Sequence, residues 1–117
     1  MNIKQAISLV TFAIFIVLAV GSKEQTPEEK CADTTAAFVM SQEFVKKRLK
    51  APATAEFPYT SSEGVSVIYL GDCKHKILAY VDAQNSFGAK IRTRYSAEVQ
   101  NEKGTDTWRL LDLQMYE

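Results

Sequence analysis

The most regular alternation of apolar and polar positions lies between Tyr80 and Tyr95, YVDAQNSFGAKIRTRY, and predicts a β-hairpin with a polar tip. Its return strand, Lys90 to Gln100, sets Ile91, Tyr95, Ala97 and Val99 on one face. Lys90, Arg92, Arg94, Glu98 and Gln100 take the other. The outgoing strand, Lys76 to Gln84, offers Ile77, Ala79, Val81 and Ala83 as its matching apolar face. Bringing the two apolar faces together pairs Gln84 with Lys90 across a loop of Asn85, Ser86, Phe87, Gly88 and Ala89. The same register sets Asp82 opposite Arg92 and Tyr80 opposite Arg94 on the outer face. A loop one residue shorter would put Asp82 beside Ile91, against the burial pattern.

Upstream, Asp33 or Thr34 can cap a helix running from about Thr35 to Lys50. At helical spacing Ala37, Phe38, Met40, Ser41, Phe44, Val45 and Leu49 share one arc, with Val39 the apolar residue out of place. Lys46, Lys47 and Lys50 sit in the last turns, where cations suit the helix dipole, and Pro52 stops the helix. Arg48 falls in the apolar arc. Either its stem packs while its head reaches solvent past the helix end, or it pairs with Glu56. Val65 to Leu70 reads as a first strand with Val65, Val67 and Tyr69 on one face, and Thr107 to Gln114 as the last. That last strand can present either Trp108 and Leu110 or Leu111 and Leu113 to the helix. The pattern defines an α+β fold: one N-terminal helix packed on a four-stranded antiparallel meander, a two-layer sandwich.

The N-terminus has a different character. Lys4 precedes an apolar run from Ala6 to Val20 broken only by Ser8 and Thr11, shorter than the roughly 20 residues that span a bilayer. Ala19 and Gly21 suit a cleavage site before Ser22, so residues 1–21 are expected to be a signal peptide, or otherwise an uncleaved anchor. Ser22 stands where a lipoprotein would carry its lipidated cysteine, and a hydroxyl cannot take that lipid. Residues 22–32, charged and holding Pro27, read as a flexible linker to a domain at 33–117. The expected location is outside the cytoplasm: periplasmic or extracellular, tethered to the inner membrane if the N-terminus stays on. Membrane contact is expected only through such an uncleaved N-terminus.

Charge narrows the partners. Lys and Arg number 14 and so do Asp and Glu, and the N-terminal segment takes only Lys4 away. Nucleic acid, which needs a basic excess, is not an expected partner. Cys31 and Cys73 suffice for one staple, and export makes a disulfide between them chemically permissible.

Two blocks, FVKKRLKAPATAEFP from Phe44 to Pro58 and YVDAQNSFGAKIRTRY from Tyr80 to Tyr95, with Trp108 downstream, resemble a family of small bacterial exported or membrane-tethered domains of unknown function. The resemblance covers most of the chain after Phe38 and implies an exported domain with the helix–hairpin core. It brings no catalytic residues with it. The organisation is also similar to cystatin-like and related envelope modules, a likeness of fold that carries no function.

Chemistry is sparse. Cys73 and His75, with Cys31, would make three metal ligands where a closed zinc site needs about four. No metal or cofactor is expected, and His75, between Lys74 and Lys76, is expected in solvent. No glycine-rich phosphate loop is present. The main expectation is a non-catalytic envelope module that binds an envelope protein or surface through the hairpin, using Tyr80, Phe87, Lys90, Arg92 and Arg94. Phe87 either projects from the tip or folds back on the sheet edge. The alternative is a small envelope enzyme whose site gathers Tyr80, Asp82, Arg92 and His75 in space.

Overall fold

The computed structural model describes residues 24–116, so the segment read as a signal peptide lies outside the described residues. Four strands form one antiparallel sheet in the order β1-β2-β3-β4: β1 Ser66–Gly71, β2 Lys74–Gln84, β3 Lys90–Asn101 and β4 Trp108–Tyr116. Helices α1 (Pro27–Cys31) and α2 (Thr34–Lys46) precede them, with a 3-10 turn at Pro52–Thr54. The class is α+β, as the hydrophobic pattern required, but it does not rest on a single helix. Among the described residues no helix is long and apolar enough to cross a membrane.

The additional helix, α1, lies inside the stretch read as linker. Thr26 and Glu29 satisfy each other's backbone amides in a capping box, and Pro27 occupies the first turn, where its missing N–H costs nothing. The turn then packs against the β3–β4 connection, where Pro27 lies over Gly104 and Lys30 reaches Asp106 at 3.7 Å. Local capping and the Cys31–Cys73 disulfide, with Cα atoms 4.6 Å apart, order a segment whose composition alone suggests a tether.

Asp33 caps α2 by accepting from the Ala36 amide at 3.0 Å, which with the Gln25 side chain holds its carboxyl below the usual range. The helix buries Ala37, Phe38, Ser41 and Val45 against the sheet and leaves Val39 outside. It ends at Lys46, four residues before the expected end. The Arg48 and Leu49 amides bond the carbonyls of Val45 and Lys46, a tightening of the last turn that lets the chain turn away before Pro52. Arg48 therefore lies in solvent beyond the helix and does not pair with Glu56, whose partner is Lys90.

Beneath α2 the sheet offers Ile77, Ala79, Val81, Tyr95, Ala97 and Val99, all buried. The small side chains of Ala79 and Ala97 let the helix lie close. Of these six side chains Tyr95 has a polar end, and its hydroxyl meets that of Ser41 at 3.0 Å while Ser41 donates to the Phe38 carbonyl. Burial raises the Tyr95 phenol's pKa, keeping it neutral.

The choice left open for the last strand dissolves in a β-bulge. Glu98 pairs with Asp112 but Val99 pairs with Leu110, so Leu111 is an extra residue without a partner across the ladder. Trp108 and Leu110 face the core before it, Leu113 and Met115 after it, and Leu111 is exposed.

Candidate functional site

The register of β2 and β3 runs unbroken from Lys74↔Gln100 to Gln84↔Lys90, with Asp82 opposite Arg92 and Tyr80 opposite Arg94, as the alternation demanded. The hairpin is also braced from its free edge. Glu56 forms a β-bridge with Asp82 through bonds of 2.8 and 3.0 Å, and the Thr54 hydroxyl accepts from the Gln84 amide at 2.9 Å. The connector before β1 therefore covers the part of β2 that β1 does not reach.

At the tip Asn85 organises the loop. Its amide donates to the Ala89 carbonyl at 2.8 Å, and its side-chain oxygen accepts from the amides of Phe87 and Ala89. Gly88 takes φ +81°, a left-handed conformation open to glycine at little cost. With the loop held this way, Phe87 does not fold back onto the sheet edge. Its ring is 94 % exposed.

Along the outer face, Arg92 donates two hydrogen bonds to the Asp82 carboxylate, at 2.8 and 2.9 Å, and lies 3.9 Å from the centre of the Tyr80 ring. These bonds from Arg92 hold the Asp82 carboxyl below the usual carboxylate range, and Asp82 in turn raises the Arg92 pKa. Lys90 is engaged with Glu56. Arg94 makes no ion pair among the described residues. It lines an open cleft of about 490 Å³ with Tyr80, Arg92, Glu63 and Gly64. Of the cations expected at the site, Arg94 is thus the one left without an ion pair among the described residues.

Three apolar residues beside the hairpin belong to the same surface and escaped the sequence reading. Ile68, Leu78 and Tyr116 are each about half exposed on the uncovered side of the sheet, and Tyr116 pairs across the ladder with Arg94. Leu78 was legible: it directly follows the inward Ile77, so alternation sends it outward.

His75 is not where its lysine neighbours suggest. It shares the inward parity of Ile77 and is fully buried, its ring 4.9 Å from that of Tyr69 and 5.6 Å from that of Trp108. Neither ring nitrogen makes a full hydrogen bond among the described residues, although the Ala32 carbonyl and the Asp33 carboxylate act on it weakly. Burial outweighs both and lowers its pKa. Tyr80, Asp82 and Arg92 lie on the opposite face of the sheet, so the four residues of the enzyme alternative do not form one site. Among the described residues no three His, Cys, Asp or Glu side chains gather as a metal-ligating group.

No family model matches this chain, and neither does any curated protein or solved structure.

Proposed function

We propose that this chain is a non-catalytic exported envelope module that binds a protein or surface through the outer face of its 80–95 hairpin. The observation that carries the reading is the pairing of a fully projecting Phe87 with a tip whose backbone is already fixed by Asn85 and Gly88. With the tip backbone already held by its own hydrogen bonds, docking the ring orders the Phe87 side chain and little else. Tyr80, Arg92, Arg94 and Tyr116 add the residue types enriched where partners meet. The apolar N-terminal run and the buried Cys31–Cys73 disulfide support export, since disulfides persist in oxidising compartments. The resemblance to small bacterial exported domains agrees with this.

A Phe87→Ala, Arg94→Glu double variant tests the surface. Both side chains are exposed, so the thermal midpoint is expected to stay within a few degrees of the wild type. Capture of envelope partners by the immobilised protein is expected to fall at least tenfold. Capture of the same partners at undiminished yield would remove the hairpin face from consideration.

A further inference from the structure

The early end of α2 leaves part of the inner sheet face uncovered, and a cavity of about 280 Å³ occupies the gap. Its apolar walls come from Leu49, Ile91 and Met115, and Arg48 and Lys50 stand at its rim. No acidic residue lines it, and neither cation makes an ion pair among the described residues. Thr93 also lines it. This residue is only 8 % exposed, on a face otherwise given to Val81, Tyr95 and Ala97, yet its hydroxyl has no hydrogen-bond partner among the described residues. Its oxygen is not sealed in the core, so this wall presents a polar atom beside its apolar side chains.

We infer that this cavity binds a small amphiphilic carboxylate, its short apolar body against Leu49, Ile91 and Met115 and its head between Arg48 and Lys50. Guanidinium groups suit carboxylates because their planar donors match the two oxygens. The cavity size, near the lower end for small-molecule sites, restricts the body to a short chain or a single ring. The site lies on the opposite side of the sheet from the Tyr80–Arg94 cleft, and its occupancy does not depend on what the hairpin contacts.

The test is a titration of the full chain with sodium octanoate, followed through the methyl resonances of Ile91, Thr93 and Met115. Octan-1-ol and octylamine, of equal chain length, serve as controls. Octanoate is expected to give saturable shifts centred on those methyls and to bind at least ten times more tightly than octan-1-ol, with octylamine weaker still. An Arg48→Gln, Lys50→Gln variant, altered only at exposed side chains, should lose at least tenfold in octanoate affinity and keep its octanol affinity within twofold. The Phe87→Ala, Arg94→Glu variant should bind octanoate like the wild type. Equal affinity for octanoate and octanol would overturn the inference, as would an absence of saturable shifts in the millimolar range. Association with anionic phospholipid vesicles without shifts at these methyls would overturn it too, assigning the cations to a lipid surface.

Discussion

Replacing Cys31 and Cys73 together by alanine is expected to destabilise the fold by about 4 kcal/mol, seen as a fall in thermal midpoint of roughly 20 °C. The two cysteines are 42 residues apart, so the bond removes a large loop-closure entropy from the unfolded chain. It also holds local structure. Gly71, Asp72 and Cys73 run consecutively at positive φ, a conformation that side-chain-bearing residues avoid, and the Tyr69 hydroxyl accepts from the Cys73 amide at 3.2 Å to support the turn. At the other end of the bond, α1 is too short to persist alone. Reduction of the wild type should reproduce the variant's midpoint. A loss below about 1 kcal/mol in chemical denaturation would mean that neither the entropy nor the turn depends on the bond.

The second large effect is a loss of stability in mild acid, centred on His75. The unfolded chain binds a proton there near pH 6.5, while the folded chain resists doing so because the ring is buried between Tyr69 and Trp108. Stability from this group is therefore complete above pH 6.5 and declines as the pH falls below it, by up to about 1.4 kcal/mol per pH unit. Asp33 acts in a separate window. Its depressed carboxyl contributes stability that is present above pH 3.8 and is lost below it. A His75→Phe variant keeps an aromatic ring in the same space without the titration, and its denaturation midpoint should be flat between pH 6.5 and 5 where the wild type declines. Equal slopes in the two proteins would place the acid sensitivity elsewhere.

The hairpin and the strand pairing were legible because one-sided burial leaves a single acceptable register for Ile77 to Ala83 against Ile91 to Val99. His75 was misread from its neighbours, although its parity with Ile77 already pointed inward; extending β2 back by two residues would have buried it. Thr26-Pro27-Glu28-Glu29 carries a readable capping box and first-turn proline, obscured by the charge around it. The end of α2 was not legible, because helical periodicity through Leu49 continues past the point where the chain leaves the helix. The cavity that this creates, with Thr93 in its wall, follows from that departure. That Arg94 makes no ion pair among the described residues also needed coordinates, since Lys90, Arg92 and Arg94 look alike in the alternation.

The unpaired Leu111 makes the last strand one residue longer than its pattern of faces requires. Losing that codon would leave Trp108, Leu110, Leu113 and Met115 in strict alternation, so the shortened strand could meet β3 without exchanging inside for outside. Loss of Leu113, two positions on, would either set Asp112 in its inward place or, with the bulge kept, turn Met115 outward. Thermal midpoints of the two deletion variants should therefore differ widely, with the first near the wild type, and similar losses in both would show that the bulge is itself required. Position 111 is a place where this sheet can tolerate a change of length, and length variation among descendants of the sequence should collect there.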